Sequence, residues 1–165
     1  MKSPAARSKP TPTKEEILAQ LKAAKKATIG HHYRRQFSFG ILDLTLHSQI
    51  REDNQKDTIK LSNQLLGEVF YPMPEDTTFV TYFGHLTGYD AGYYGYAWAD
   101  VIAADMATAF ESSPEGYYDI PTGRRLRHEI YEPGDSRDVN LSIEKFLGRP
   151  PQNGPFLKEL GIGMK

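Results

Sequence analysis

Hydrophobic residues recur along most of the chain at helical spacing, with short breaks between the runs. Thr13, with Glu16 three residues on, has the spacing of a helix N-cap and its capping box. Ile17, Leu18, Leu21 and Ala24 then share one helical face, and Gly30 reads as the stop. A second helix is expected from about Tyr33 to Arg51. Phe37, Ile41 and Leu44 form one row and Leu42, Leu46 and Ile50 another, a wide apolar face that suits a helix buried on more than one side. A third helix, about Thr58 to Phe70, carries Leu61, Leu65 and Val69 in one row and Leu66 and Phe70 in the next, and Pro72 and Pro74 end it. Thr77 to Tyr82 has the composition of a strand.

Beyond that point a helix is expected from about Ala91 to Phe110, with Tyr94, Trp98, Val101, Ile102, Asp105 and Met106 at helical spacing. Glu111 to Pro121 reads as a loop, and Gly123 to Ile130 as a short helix. Asp135 or Ser136 is the expected cap of a helix running to Leu147, with Val139, Ile143, Phe146 and Leu147 inward and Gly148 just past its end. Pro155 suits the first turn of a last short helix that ends near Gly161. The predicted class is all-α, with at most one short extended piece.

Composition narrows the function. The 165 residues carry 20 basic and 21 acidic side chains, a net charge of -1. That balance removes the electrostatic attraction behind most nucleic-acid affinity and behind polybasic membrane anchoring. No cysteine is present, which excludes disulfides, thiolate metal sites and a cysteine nucleophile, and is compatible with the cytoplasm, the expected compartment. No apolar run approaches the 18 residues or so of a membrane span. Residues 1–14 are basic and proline-containing without an apolar core, and read as a disordered tail before a domain over 15–165.

The aromatic residues are unevenly spread. From Tyr82 to Trp98, seven of 17 positions are aromatic and four more are glycine. Gly84 and Gly88 can adopt positive φ and bring backbone close to a ligand, and a glycine loop before a helix start offers free N–H donors. Tyr89, Tyr93 and Tyr96 follow at intervals of four and three, so they are expected on one helical face beside His85. Phenols are good neutral donors to a developing oxyanion. Aromatic residues at helical spacing also suit a core or an interface. That reading leaves Gly92 and Gly95 unexplained, because glycine inside a helix costs about 1 kcal/mol against alanine, so a close approach is expected there.

The stretch Phe83 to Trp98 closely resembles the C-terminal part of the thimet oligopeptidase family of zinc metallopeptidases, which includes neurolysin, oligopeptidase A and peptidyl-dipeptidase relatives. The likeness continues through Ala99 to Met106, through Arg127, Ile130, Pro133-Gly134 and Ser136, and through Phe146 to Arg149, Pro151, Phe156-Leu157 and Gly161-Ile162. Upstream, Gly30 to Gln36, Leu42-Asp43-Leu44 and Leu46-His47 are similar to the helix preceding the motif. Two positions depart from the pattern: Gly88 stands alone between Thr87 and Tyr89, and Asp135 replaces a second glycine after Gly134.

The resemblance implies hydrolysis of short peptides in a helical, zincin-type catalytic domain, with this chain as its C-terminal segment. It implies that His85, Tyr89 and Tyr96 line the cleft and donate hydrogen bonds to the peptide carbonyl as it becomes an oxyanion. Gly84, Gly88 and Tyr93 are implied as substrate-binding wall. It also implies zinc in the complete enzyme, held by His-Glu-x-x-His and a further glutamate. No such motif occurs here: His128-Glu129-Ile130-Tyr131-Glu132 lacks the second histidine, and His31, His32 and His47 lack its spacing. No metal ligand is therefore assigned in this chain. The expected partners are short peptides, together with a zinc-bearing segment or a second copy. The alternative reading is a peptide-binding or regulatory remnant without catalysis. Single-stranded nucleic-acid binding by aromatic stacking fits poorly, because residues 82–98 contain no Lys or Arg.

Overall fold

The computed structural model describes residues 11–48 and 57–163. Among these, eight α-helices appear and no strand: α1 Lys14–Ala27, α2 Ile29–Ser48, α3 Thr58–Val69, α4 Phe79–Tyr82, α5 Gly95–Glu111, α6 Ile120–Leu126, α7 Val139–Leu147 and α8 Gly154–Glu159. None is long and apolar enough to cross a membrane. The first ten residues of the expected tail, and Gln49, Ile50 and Arg51 of the expected second helix, lie outside the described residues.

Local chemistry sets many of the ends. The Thr13 hydroxyl accepts from the Glu16 amide while the Glu16 carboxylate accepts from the Thr13 amide, the expected capping box. Gly148 takes φ 73° and closes α7, and Pro155 sits in the first turn of α8. The cap of α7 is Asp138, whose carboxylate accepts from the Asn140 amide, rather than Asp135 or Ser136. Gly30 is not a stop. Thr28 makes the break between α1 and α2, and Gly30 lies in the first turn of α2. The strand-like Thr77–Tyr82 segment instead forms the single turn α4, which packs on α3. The predicted loop over Glu111–Pro121 contains a 3-10 turn at Gly116–Tyr118, and a π turn over Arg127–Tyr131 follows α6.

Buried apolar side chains lie in two places. In the first, Phe39 of α2, Leu66 of α3 and Tyr93 are buried, with Met73, Phe79 and Phe83 against them. The Phe39 and Phe79 rings stack at 4.8 Å. In the second, Ile143 and Phe146 of α7 and Phe156 of α8 are buried beside α5. Helix α2 joins both, since Tyr33 meets Phe156 edge-on at 5.0 Å. The Tyr33 hydroxyl also donates to Asp100 of α5, and burial followed by that carboxylate pushes its pKa up to about 12. The row Phe37, Ile41 and Leu44 on α2 is not covered. With Tyr94, and with Trp98 and Val101 of α5, it lines an open apolar groove of about 340 Å³. Helix α1 likewise leaves Ile17, Leu18 and Leu21 exposed.

The strongest polar tie fastens α5 to the chain after α7. Asp105 is fully buried, and its carboxylate accepts two bonds from Arg149 at 2.8 and 2.5 Å and one from the Gln152 amide at 2.7 Å. The Arg149 side-chain bonds, more than the backbone bond, hold the Asp105 carboxyl below the ordinary carboxylate range. Removing one partner of such a pair strands a buried charge. Arg149→Ala is therefore expected to lower stability by about 3 kcal/mol at pH 7, measured by urea unfolding. Because the folded value is depressed, the wild-type contribution is complete above about pH 4 and is lost as pH falls through the folded pKa. Between pH 7 and pH 3 the gap between wild type and Arg149→Ala should therefore shrink.

Candidate functional site

The segment between α4 and α5 folds as a series of tight turns. A 3-10 turn spans Gly84–Thr87, and the Thr87 hydroxyl donates to the Gly84 carbonyl at 3.1 Å. The Tyr89 amide donates to the His85 carbonyl, Gly92 to Tyr89 and Gly95 to Gly92, so these N–H groups are committed within the turns rather than free. Helix α5 starts at Gly95, not at Ala91. The cause is Ala91, which takes φ 55°, a left-handed conformation that an α-helix cannot contain. Gly84 and Gly88 do not take positive φ; Gly88 has φ -129°. The close approach expected near Gly92 and Gly95 is real at Gly92, where an added Cβ would lie 3.2 Å from the Tyr89 carbonyl oxygen, while Gly95 has open space.

Tyr89 therefore lies off the helix that carries Tyr96, yet the turns still gather the side chains around His85. The His85 ring lies 5.1 Å from Tyr93, 5.8 Å from Tyr96 and 5.9 Å from Tyr89, and 5.1 Å from Phe83 beneath. The Tyr96 hydroxyl is 3.3 Å from His85 Nε2. Burial separates the three phenols. Tyr93 is 7% exposed, whereas Tyr89 is 64% and Tyr96 49% exposed. The Tyr93 hydroxyl donates to Gln36 Oε1 at 2.9 Å. Desolvation, with a smaller addition from Tyr96 and an opposing pull from Arg35, raises its pKa and keeps it a donor. Gly84 and Gly88 stand exposed on the rim with nothing within 4 Å of an added Cβ.

Two residues that the pattern analysis did not single out complete the arrangement. Gln36 holds the Tyr93 hydroxyl. Asp43 is fully buried on α2, and its two carboxylate oxygens accept from the Ala91 amide at 3.0 Å and the Tyr93 amide at 2.9 Å. The available signal for Asp43 was a charge set between Leu42 and Leu44 on an apolar helix. Gln36 had none.

No part of this arrangement fits a metal. Among the described residues, no group of three or more His, Cys, Asp or Glu side chains could hold one. In the His128–Glu132 string, His128 Nδ1 pairs with Glu132 at 2.6 Å, Arg127 takes the other Glu132 oxygen at 3.0 Å, and Arg137 takes Glu129 at 2.6 Å. A catalytic zinc needs three free protein ligands. These residues do not fit one.

A profile of peptidase family M3 matches residues 3–162. The chain belongs to this family. Oligopeptidase A of Escherichia coli is 35% identical over 156 residues, which cover 92% of this chain and 22% of that protein. The organellar oligopeptidase A of Arabidopsis thaliana is 34% identical over 162 residues, covering 90% and 19%. Saccharolysin of Saccharomyces cerevisiae is 36% identical over 138 residues, covering 78% and 18%. The chain thus spans about a fifth of the length of the curated relatives it matches. All eight helices and the whole tyrosine segment fall inside the family match.

The difference in burial gives a direct test. Tyr93 fills the first core, so Tyr93→Ala is expected to cost about 3 kcal/mol. Tyr96→Ala removes a half-exposed ring and should cost under about 1 kcal/mol. Urea unfolding of both variants measures the two values. The lack of a fitting ligand set makes a second expectation: after dialysis, elemental analysis of the purified chain should find far less than one zinc per molecule.

Proposed function

We propose that this chain forms the substrate-facing wall of an oligopeptidase cleft. On this reading Tyr89 and the His85–Tyr96 pair donate hydrogen bonds to the backbone of a short peptide: His85 Nε2–H donates to the Tyr96 oxygen, which leaves the Tyr96 O–H to meet the carbonyl oxygen as negative charge develops on it. The observation that carries the reading is the convergence of these three polar rings on one exposed rim, with Tyr96 and His85 3.3 Å apart, above a buried aromatic floor. Donors fixed before the reaction stabilise developing charge without reorganising at the moment of reaction. Gly84 and Gly88 let the peptide pass close to the rim, and Tyr93 supports the rings from below.

The chain's own residues supply binding, orientation and oxyanion stabilisation. The group that activates the attacking water belongs, in this proposal, to the complementary part of an oligopeptidase-like domain. That part also supplies the cover for the apolar groove between α2 and α5, whose lining is almost wholly hydrocarbon. Family membership and the oligopeptidase relatives support peptides as the substrate class.

The test is a chimera in which this chain replaces the matched part of Escherichia coli oligopeptidase A. Tyr96→Phe in that chimera is expected to lower kcat about 100-fold, the usual cost of one oxyanion donor. KM should change less than about threefold, because the hydroxyl would act mainly in the transition state. A change confined to KM would reduce Tyr96 to a ground-state substrate contact. An inactive chimera that still binds peptide through Tyr89 would favour the non-catalytic reading.

A further inference from the structure

Asp43 carries more than its position on the helix requires. It is fully buried, and among the described residues no lysine or arginine pairs with it; its one ionisable partner is His47, with Nδ1 2.9 Å from Oδ1. A carboxylate out of water must be compensated by donors. Two of those donors are backbone amides 48 and 50 residues away in sequence, those of Ala91 and Tyr93, one on each oxygen. Bonds from N–H to an ionised acceptor are about twice as strong as neutral ones. Between the two clamped amides lies Gly92, at the point where a side chain would crowd the Tyr89 carbonyl. Ala91 itself sits at φ 55°, which an alanine avoids unless something holds it there.

The clamp acts on the cluster through Tyr93. Gln36 and Asp43 stand seven residues apart, on one face of α2. Asp43 holds the Tyr93 amide and Gln36 holds its hydroxyl, so the residue is fixed at both ends by one rigid element. The Tyr93 ring in turn touches His85 at 5.1 Å and Tyr96 at 5.0 Å. We propose that Asp43 is the positioning residue of the cleft wall: by clamping the Ala91 and Tyr93 amides it imposes the left-handed turn at Ala91 and thereby sets where Tyr89, Tyr93 and Tyr96 meet His85. It touches no substrate. The proposal rests on the reading of His85, Tyr89 and Tyr96 as the peptide-facing group.

The test uses the 165-residue chain, with amide hydrogen exchange followed by NMR and binding of a fluorescein-labelled octapeptide followed by anisotropy. Asparagine matches aspartate in shape but offers one acceptor oxygen, so it can keep at most one of the two amides. In Asp43→Asn, exchange at Ala91 or Tyr93 should accelerate at least tenfold while the amides of α7 keep their protection, and the peptide Kd should rise at least tenfold. Adding Ala91→Gly should bring the Kd back to within about threefold of wild type, because glycine takes positive φ without strain. Ala91→Val, with Asp43 intact, should reproduce the loss, since a β-branched residue cannot sit there. A folded Asp43→Asn with wild-type exchange at both amides overturns the proposal. So does faster exchange with an unchanged Kd. If Asp43→Asn does not fold, Ala91→Val decides: unaltered exchange at Tyr93 and unaltered Kd overturn it. A wild-type chain that binds no octapeptide sinks the peptide-facing reading instead, and the exchange data still decide whether Asp43 holds the turn.

Discussion

A carboxylate with no water around it has to be satisfied by the protein, and in this molecule the Asp43 carboxylate is satisfied largely by the backbone of the tyrosine turn. The requirement runs both ways. The turn would otherwise leave two amide donors without an acceptor beside an aromatic core, and α2 would carry a buried carboxylate with only His47 beside it. Because each half answers the other, α2 and the turn before α5 cannot shift independently. Asp105 and Arg149 impose the same kind of condition further along α5, tying it to the chain beyond α7. The turn leading into α5 is thus fixed by one buried aspartate and the second half of the helix by another. The floor of Phe39, Phe79 and Phe83 packs into the space this leaves.

Burial sorts three chemically identical side chains into two roles. Tyr93 points into the core, and its hydroxyl is held by Gln36, so it has no donor to spare for an incoming group. Tyr89 and Tyr96 keep their hydroxyls at the rim. Desolvation raises the Tyr93 pKa, which keeps the phenol protonated in its bond to Gln36. On the proposed reading the same desolvation is useful to the exposed pair only once a peptide covers them. Their hydrogen bonds then gain strength as water leaves, whereas the Tyr93 bond is already at its final strength.

Features fixed within a few residues of themselves were legible in the sequence. The Thr13 and Glu16 capping box, the left-handed Gly148 and Pro155 in a first turn all depend on local backbone geometry, and each appears as expected. The misplaced boundaries have distant or competing causes. Helix α5 begins four residues late because Asp43, 48 residues upstream, holds Ala91 in a conformation no local propensity favours. Thr77 to Tyr82 has strand composition but no partner strand among the described residues, and its phenylalanine is drawn into the stack on Phe39. Asp138 caps α7 because it lies directly before the first helical residue, which Asp135 and Ser136 do not. The aromatic cluster was visible through its motif. Its support was not, since a hydrogen bond between Gln36 and Tyr93 leaves no trace in spacing.

The order Tyr93-Tyr94-Gly95-Tyr96 places two surfaces back to back. Tyr93 and Tyr96 turn toward His85, while Tyr94, with Trp98 one turn on, turns toward the groove beside Phe37, Ile41 and Leu44. Gly40 of α2 faces this turn: a Cβ there would lie 3.5 Å from the Tyr94 Cα, in ordinary contact. One peptide unit therefore separates a residue of the rim's floor from a residue of the groove wall, and both are pinned to α2. Interiors that are close-packed transmit displacement rather than absorb it. A displacement of Tyr94 would therefore be felt by Tyr93 and, through it, by the rings around His85.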